Sequence, residues 1–394
     1  MTIPVSFDHD GKPIAALSGR IDSGNASEAE QILLEICKED PSDTLTLDCD
    51  ELEYISSAGL RILLRLKRSK SVLRMINVHA EIYDVLEMTG FTEILTIQKA
   101  YRVLSVESCE VVGKGSNGMV YRYDRETIIK VYRESDALSK IEQEREYART
   151  AFIAGIPTAI PYDVVRIENG GYGTVFELLN AESLAEMLIA EEKSLTETAE
   201  MSIDLLHLIH ANEARPGTLP DMRKTVLGWI AFLENELPKP QYEKLLTLCK
   251  AVPESLHILH GDYHIKNIMF QNGECLLVDM DTISCGHPVF ELASMYNAYR
   301  GYGETDHSAV EKYLGISWEM ASAFWKKSLE LYLGTEDEET IRSVENKARI
   351  IGTVRMLRRS IRRNGLNTEK GRAEIEYNKE ILSELLEKVD SLLF

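Results

Sequence analysis

The segment His260–Asn267, which reads HGDYHIKN, combines acidic and amide side chains at a spacing suited to phosphoryl transfer. In such chemistry an aspartate orients the attacking hydroxyl group and accepts its proton, and an asparagine five residues later helps to hold a metal ion on the phosphates. Asp262 and Asn267 have this spacing, and Asp279 follows at the end of the apolar run CLLVD. The pattern predicts that Asp262 is catalytic and that Asn267 and Asp279 are ligands of Mg²⁺.

A predicted hairpin separates Asn267 from Asp279. The runs NIMF and CLLVD are typical of short strands, and the dipeptide Asn272-Gly273 between them is frequent in two-residue hairpin loops. Such a hairpin would place the oxygen ligands on rigid strand ends. The alternative is a polar surface loop that matches the spacing by chance, and the hairpin and its flanking strands disfavour it.

A glycine-rich stretch upstream predicts a loop that binds nucleotide phosphates. The sequence GKGSNGMVY at 113–121 fits the pattern G-x-G-x-x-G-x-V, in which glycines let the backbone approach a phosphate and donate N–H groups. The strand-like run TIIKVY follows and carries a lysine where a phosphate anchor belongs. A strand after the glycines disfavours a dinucleotide-binding fold, whereas a generic hairpin remains the simpler alternative. The residues predicted to bind nucleotide are Gly113, Gly115, Ser116, Gly118, Val120 and Lys130.

Two further segments extend the predicted nucleotide site. The helical pattern KIEQEREYA offers three glutamates to hold Lys130, and Glu144 is preferred because it lies on or beside the apolar face of that helix. The stretch GTVFELL at 173–179 is typical of a strand that leads into a hinge, where the backbone of Glu177 and Leu179 would pair with adenine. Solvated glutamates and an ordinary buried strand are the alternative interpretations.

Taken together, residues 108–300 resemble the aminoglycoside phosphotransferase and choline kinase-like family. HGDYHIKNIMF is similar to the HGDxHxxN loop of that family, VDMD to its metal-binding segment, and GHPVFELA to its G-x-P-x-x-D-L-A segment. The resemblance implies an α+β bilobal protein-kinase-like fold that uses ATP and Mg²⁺. It also implies roles for four residues: catalysis by Asp262, metal binding by Asn267 and Asp279, and metal binding or loop ordering by Asp281.

Two positions depart from the pattern of this family. Ile265 stands where proline is usual, which we expect to be harmless, and Glu291 stands where an aspartate usually braces the catalytic loop. The second departure leaves open whether Glu291 stabilises the catalytic loop as that aspartate does. Substrate contacts would lie within 183–255 and 300–394, where no motif is readable, so the acceptor is predicted only as a small hydroxyl-bearing molecule.

The first hundred residues alternate strand and helix patterns, which predicts a small α/β domain. Strands are indicated by PVSFDH, PIAALSG, TLTLDCD, VLRMIN and ILTIQ, and helices by apolar spacing over 25–39, 57–69 and 82–90. The sequence therefore predicts three regions: an α/β domain at 1–100, a strand-rich lobe at 101–179 and a helical lobe at 180–394.

Two serines open the second of these helices, in the segment YISSAGL at 54–60. A serine there can cap the helix, and a phosphate would be stabilised by the free N–H groups and the helix dipole. With LSGRID upstream and TGF downstream, the segment resembles the STAS domain of anti-sigma factor antagonists over residues 3–98. The resemblance implies that Ser57 is a candidate phosphoacceptor and that the domain docks a protein partner, although Ser56 replaces an aspartate usual in that family.

Composition restricts the class of protein further. The net charge of −20 disfavours nucleic-acid and membrane partners, and it weakly favours a cationic acceptor. We find no apolar run that predicts a transmembrane helix, and no signal peptide. The six cysteines lack metal-binding spacing, so a cytoplasmic protein with reduced thiols is expected.

Three functions remain open from the sequence. The first is an ATP- and Mg²⁺-dependent phosphotransferase that acts on a hydroxyl group of a small molecule and carries a STAS regulatory or docking domain. The second is a signalling protein whose kinase-like region senses ATP while the STAS domain meets an anti-sigma-type partner. The third is a protein kinase that phosphorylates Ser57. Because every nameable catalytic element is present, the first function is favoured.

Overall fold

A computed structural model describes residues 2–8, 11–40, 42–114, 118–133, 138–168, 170–363 and 365–394. The chain divides into two compact units. The first unit contains Met1–Ser105 and Val164–Gly170, and the second contains Val106–Asp163 and Gly171–Phe394.

The first unit is built on a five-stranded sheet with helices between its parallel strands. The strands, in spatial order, are β1 (Val5–Phe7), β2 (Pro13–Ile21), β3 (Thr44–Ile55), β4 (Val72–Val78) and β5 (Thr96–Lys99). β1 is antiparallel to β2, and the remaining neighbours are parallel. The helices are α1 (Ala26–Glu39), α2 (Ser57–Ser69) and α3 (Ala80–Met88), with a short 3₁₀ helix at Phe91–Glu93. The predicted alternation of strands and helices is confirmed.

β3 extends beyond the predicted strand TLTLDCD, through to Ile55. Its pairing with β2 shifts register twice, between Ala16 and Ser18 and again between Gly19 and Arg20. Such irregularities bend a strand without ending it. The simple alternation of apolar residues is lost there, which is why the sequence pattern ended too early.

A short strand, β6 (Val103–Leu104), follows in the same unit. It pairs in parallel with Arg166 and Ile167. This pairing explains why the stretch Val164–Gly170 clusters with the first unit although it lies far along the chain.

The second unit opens with several strands and one helix. In chain order these are β7 (Glu110–Lys114), β8 (Gly118–Arg122), β9 (Thr127–Tyr132), α4 (Leu138–Ile153), β10 (Pro161–Ile167) and β11 (Tyr172–Glu177). The end of β10, from Val164, belongs to the first unit. β9 lies between β8 and β11 and is antiparallel to both. The predicted strand-rich region with a single helix is confirmed.

The rest of the second unit is mainly helical. It contains β12 (Glu182–Ser183), α5 (Leu184–Ile189), α6 (Leu195–Ala211), α7 (Met222–Phe232), α8 (Lys239–Ala251), β13 (Ile258–Leu259), β14 (Ile268–Gln271), β15 (Glu274–Leu277) and β16 (Ser284–Cys285). It continues with α9 (Val289–Tyr299), α10 (Ser308–Leu314), α11 (Trp318–Leu333), α12 (Glu338–Arg362) and α13 (Glu369–Lys388). Short 3₁₀ helices lie at Met280–Thr282, Gly301–Gly303 and Gly365–Asn367.

The predicted hairpin between β14 and β15 is confirmed. Gln271 pairs with Glu274, and the two residues between them, Asn272 and Gly273, have positive φ angles of 53° and 88°. Asparagine and glycine adopt this left-handed conformation more readily than other residues, so the dipeptide closes the turn at low cost.

Buried apolar residues hold the loop between β13 and β14 in place. Every residue of α9 is buried, and the aromatic ring of Tyr263 is fully enclosed next to this helix in the same core. Tyr299 on α9 accepts the backbone N–H of Ile265 at 3.0 Å, and Tyr263 donates its hydroxyl to the carbonyl oxygen of Ser202. The loop is therefore fixed from both sides. Within the described residues, no helix combines the length and apolar character required to cross a membrane.

Candidate active site

Lys130 on β9 joins two carboxylates from distant parts of the second unit. Its Nζ lies 2.7 Å from Glu144 Oε1 and 2.7 Å from Asp279 Oδ1. The side chain is only 14% exposed. Burial opposes the positive charge, but Asp279 and Glu144 outweigh it and raise the pKa of Lys130 above its ordinary value. Lys130 is therefore an ammonium ion throughout the physiological pH range.

Glu144 is held on the buried face of α4. Ile141, Ala148 and Ala151 are the other buried residues of this helix, at the spacing that the sequence pattern suggested. The second carboxylate oxygen of Glu144 accepts a hydrogen bond of 2.8 Å from the hydroxyl of Tyr132. With both oxygens occupied, Glu144 has a defined position and fixes that of the Lys130 ammonium.

Asp279 and Asp281 lie together after β15. Asp279 has left-handed backbone angles, φ 64° and ψ 65°, which cost a non-glycine residue energy and are concentrated at functional sites. Burial, and then the negative charge of Asp279, raises the pKa of Asp281 to about 7. The two carboxylates thus form a region of concentrated negative charge in a partly buried setting.

Asn267 is oriented by the catalytic loop. Its Nδ2 donates to the carbonyl oxygen of Asp262 at 3.0 Å, so that the amide oxygen points elsewhere. Within the described part of the chain, no cluster of three or more His, Cys, Asp or Glu side chains is arranged to hold a metal ion. An amide oxygen with Asp279 and Asp281 is nonetheless a donor set of the kind that Mg²⁺ uses when substrate phosphates supply further ligands.

Gly261 lets the loop that carries Asp262 closely approach the segment that carries Asp279. Its φ is +81°, and a Cβ atom there would lie 2.4 Å from the carbonyl oxygen of Thr282. Thr282 Oγ1 in turn donates to the carbonyl oxygen of His260 at 2.8 Å, and a His260 ring nitrogen contacts the carbonyl oxygen of Val278 at 3.1 Å. These contacts connect the loop of Asp262 to the segment of Asp279.

Glu291 braces the loop that carries Asp262, although an aspartate is usual at this position in the family that the sequence resembles. It accepts the backbone N–H of Gly261 at 3.0 Å and also the N–H of His260. Burial raises the pKa of Glu291 to about 7, although these two N–H donors favour its charged form. The glutamate side chain, although longer than the usual aspartate, therefore braces the loop from α9. Ser294, on the same helix, donates to the carbonyl oxygen of Gly261 at 2.7 Å.

Tyr313 and His264 contact Asp262. His264 belongs to the motif at 260–267, whereas no sequence motif marks Tyr313. The hydroxyl of Tyr313 lies 3.2 and 3.3 Å from the two oxygens of Asp262 and 2.8 Å from His264 Nε2. His264 Nε2 is itself 3.6 Å from Asp262 Oδ2. Burial alone would raise the pKa of Asp262, but His264, followed by Arg355 and His260, lowers it to about 2. Asp262 is consequently a carboxylate at neutral pH.

The glycine-rich segment is described in part. Val120 on β8 pairs with Lys130 across the sheet. A Cβ atom at Gly118 would lie 2.1 Å from the carbonyl oxygen of Val131, so close strand contact requires glycine there. Gly113 lies in β7, whereas Gly115 and Ser116 fall outside the described residues.

The predicted hinge follows β11. Glu177 ends this strand, and its Oε1 accepts the backbone N–H of Ile160 at 3.3 Å. The side chain of Glu177 thereby anchors the strand end. The backbone N–H of Leu178 donates to the carbonyl oxygen of Glu126 at 2.6 Å, and Leu179 follows.

Ser57 lies in the first unit at the start of α2. The helix is capped by its neighbour Ser56, whose Oγ accepts the N–H groups of Ala58 at 3.2 Å and Gly59 at 3.4 Å. Ser57 is exposed. Its hydroxyl group is therefore not required for capping and remains accessible.

A cavity of about 410 Å³ lies beside Tyr313 in the second unit. It is lined mainly by residues of α10, α12 and α13, among them Met356 and Arg359, and by Tyr302 of the 3₁₀ helix Gly301–Gly303. Sequence analysis missed this cavity because its residues are scattered over the region 300–394 without a motif. The only local signal is the concentration of arginines near the end of α12.

Sequence comparisons support both resemblances. The profile of the phosphotransferase enzyme family matches residues 108–323, and the profile of the STAS domain matches residues 8–103. BtrV of Bordetella bronchiseptica, whose name assigns it to the anti-sigma factor antagonists, is 32% identical over 93 residues. The aligned part is 22% of this chain and 78% of BtrV. The predicted fold of an α/β STAS domain followed by a kinase-like domain is confirmed.

Similar solved structures include aminoglycoside phosphotransferases and a relative of choline kinases. Aminoglycoside phosphotransferase APH(4)-Ia is 12% identical with a TM-score of 0.49, covering 71% of this chain and 93% of that protein. A choline/ethanolamine kinase family protein from Mesorhizobium loti is 15% identical with a TM-score of 0.45, covering 71% of this chain and 88% of that protein.

Proposed function

Because the chain belongs to the phosphotransferase enzyme family, we propose that it transfers the γ-phosphoryl group of ATP to a hydroxyl group of a small molecule. The observation that carries the proposal is the convergence of Lys130, Glu144 and Asp279, with Nζ at 2.7 Å from both carboxylates. Phosphoryl transfer requires little covalent chemistry from the protein. It depends mainly on positioning and on neutralising charge, which this arrangement provides.

Lys130 would contact the phosphates of the bound nucleotide. Its charge is secured by Glu144 and Asp279, and its position is fixed through Glu144 and Tyr132. Backbone groups of the glycine-rich segment, which includes Gly113, Gly115, Ser116 and Gly118, would surround the phosphates near Val120. The backbone of Glu177 and Leu179 would bind adenine.

Asn267, Asp279 and Asp281 would hold Mg²⁺. The oxygen donors suit this ion, and its charge would offset the repulsion between the two carboxylates that raises the pKa of Asp281. When bound, the ion neutralises negative charge on the phosphates.

Asp262 would orient the acceptor hydroxyl. In the reaction a bond forms between the hydroxyl oxygen and the γ-phosphorus, the bond from that phosphorus to the ADP oxygen breaks, and the hydroxyl proton passes to Asp262. With a pKa of about 2, Asp262 is a weak base at neutral pH. It would therefore act chiefly by holding the hydroxyl group in line and would take the proton late in the step.

The division of labour that we propose assigns residues 1–100 to a STAS domain, 101–179 to a nucleotide-binding lobe and 180–394 to a helical acceptor-binding lobe. The STAS domain would regulate the enzyme or dock a protein partner. A second candidate activity, phosphorylation of Ser57, is favoured by its exposure and by the capping role of Ser56.

Replacing Asp262 tests the proposed function. ADP release from Mg-ATP is measured over a panel of hydroxyl compounds, and the product of any active compound is identified by mass. Asp262→Asn should reduce transfer at least about a hundredfold, because the acceptor hydroxyl loses its orienting carboxylate. Wild-type turnover in this variant, with a verified phosphorylated product, would exclude the role given to Asp262.

A further inference from the structure

The end of α12 is strongly basic in an acidic chain. Residues 355–363 contain five arginines and no acidic residue, whereas the whole chain has a net charge of −20. The arginines are Arg355, Arg358, Arg359, Arg362 and Arg363. Among the residues that the structure describes, no carboxylate forms an ion pair with any of them. The charge of Arg355 acts on Asp262, whereas the other four arginines form a concentration of positive charge without ion pairs to any described carboxylate, which is a feature of sites that bind anions.

Two of these arginines line the cavity beside Tyr313. Arg359 and Arg363 belong to its wall, and the guanidinium of Arg359 lies 4.8 Å from the centre of the Tyr302 ring. Tyr302 packs edge-on against Tyr313 with ring centres 5.2 Å apart. The hydroxyl of Tyr313 contacts Asp262. A continuous row of contacts therefore runs from Arg359 through Tyr302 and Tyr313 to Asp262.

The acidic residues of the cavity do not neutralise these arginines. Asp306 accepts the ammonium of Lys370 at 2.9 Å, so this pair carries no net charge. Glu374 accepts the hydroxyl of Ser360 at 3.0 Å. Arg359 and Arg363 thus face a single carboxylate, with which neither forms an ion pair, and the cavity keeps an excess positive charge.

Arg359 remains able to bind a ligand. Its Cζ atom lies over the Tyr302 ring, and the N–H donors of a guanidinium group can bind two oxygens of a carboxylate or phosphate. A helix C-terminus also favours cations, but this effect is small and does not require a cavity. Acidic residues elsewhere on the surface have little electrostatic effect on this cavity, because salt screens charges beyond about 8 Å.

We propose that the acceptor carries an anionic group, a carboxylate or a phosphate ester, which Arg359 and Arg363 bind while its hydroxyl group lies at Asp262. This inference rests on the proposed function, since that hydroxyl is the one that receives the phosphoryl group. The net charge of the chain weakly favours a cationic acceptor, whereas the local charge of the cavity favours an anionic one.

Calorimetric titration with matched small molecules tests the anion site. Glycerol 3-phosphate and glycerate are compared with glycerol and choline, at constant ionic strength and with Mg-ADP present to occupy the nucleotide site. Wild-type protein should bind at least one of the two anions about tenfold more tightly than glycerol or choline. The comparison of the two anions distinguishes a phosphate from a carboxylate.

Single arginine variants test which residues bind the anion. Arg359→Gln and Arg363→Gln should each weaken binding of the anion about tenfold. Arg362→Gln is the matched control, since it removes the same charge from the same turn of α12 but does not line the cavity. The proposal is wrong if neither anion binds better than glycerol, if the cavity variants bind like wild type, or if Arg362→Gln loses as much affinity as they do.

An Asp262→Asn variant separates this inference from the proposed function. It should still bind the anion more tightly than glycerol, because Arg359 and Arg363 are unchanged, while losing transfer to any acceptor that the wild type phosphorylates. If transfer persists in that variant while the cavity variants lose anion binding, the catalytic role of Asp262 fails and the anion site stands.

Discussion

Lys130 has two carboxylate partners with different roles. Asp279 belongs to the proposed metal site, whereas Glu144 lies deep on α4 and is also bonded to Tyr132 at 2.8 Å. Glu144 therefore positions the ammonium, because it touches neither the acceptor hydroxyl nor the loop of Asp262 in the contacts described above.

Replacing Glu144 by glutamine should lower kcat/KM for ATP by about 10- to 100-fold, since the ammonium loses its charged anchor. Steady-state kinetics of ADP release checks this outcome. Tyr132→Phe serves as the control: it removes the second contact of the same carboxylate, together with a 3.4 Å contact to Thr174 Oγ1, and should cost less than tenfold. Equal kinetics in the Glu144 variant and wild type would remove Glu144 from the site.

Tyr313 contributes a hydroxyl group to both Asp262 and His264. Tyr313→Phe keeps the ring contact with Tyr302 and removes only these hydrogen bonds. We expect kcat to fall about tenfold with little change in KM for ATP, because the acceptor hydroxyl is misaligned while the nucleotide contacts persist. A loss confined to KM for ATP, measured in the same assay, would contradict this role.

At the scale of elements, short connections determine where the site residues lie. The Asn272-Gly273 turn, the left-handed Asp279 and the close contact at Gly261 bring β14, β15 and the catalytic loop together. α9 then braces that loop through Glu291 and Ser294. The catalytic geometry thus depends on a small part of the second unit.

The local motifs predicted this part of the structure well. Asp262, Asn267 and Asp279 lie within one short stretch, so their spacing, the hairpin dipeptide and the apolar strands were all visible in the sequence. Tyr313 was not predictable, because it reaches Asp262 only through the packing of α10 on the core. The cavity beside Tyr313 was not predicted for the same reason, since most of its residues become neighbours only when α10, α12 and α13 pack together.

Helices α6 and α11 meet at a buried histidine. His210 Nδ1 contacts the hydroxyl of Tyr332 at 2.8 Å, and its Nε2 has no hydrogen-bond partner in the described part of the chain. Burial, and then the charges of neighbouring histidines, lowers the pKa of His210 to about 3. The imidazole ring of His210 is therefore uncharged in the folded protein at neutral pH.

This depressed pKa predicts that acid weakens the packing of α6 on α11. An unfolded histidine binds a proton below pH 6.5, whereas folded His210 does so only near pH 3, so stability falls as the pH decreases between these values. By pH 4.5 the loss is about 2–3 kcal/mol. Thermal unfolding from pH 7 to 4.5 should show a shallower decline for His210→Gln, and parallel curves would exclude this account.

At the scale of the whole molecule, the chain joins a phosphotransferase to a STAS domain that carries an exposed serine. Ser57 occupies the first position of α2, where the helix dipole would stabilise a phosphate. The two domains therefore combine a candidate source of phosphoryl groups with a candidate acceptor on one chain.

Incubation with Mg-ATP should add one phosphoryl group to the wild-type chain, as measured by intact mass. The Ser57→Ala and Asp262→Asn variants should not gain this mass, since the first lacks the acceptor and the second the catalytic carboxylate. An unchanged mass in the wild type would count against self-phosphorylation and would leave Ser57 to a partner kinase.

The joint role of Lys130, Asn267 and Asp279 is tested most directly by measuring how Mg²⁺ changes the affinity for ATP in wild type and Asp279→Asn. Asparagine tolerates the left-handed backbone of this position, so the variant should alter the metal ligand and leave the fold intact. Mg²⁺ should tighten ATP binding to the wild type at least about tenfold and have little effect on the variant. An equal Mg²⁺ effect in both proteins would show that Asp279 holds no metal, which contradicts the proposed active site.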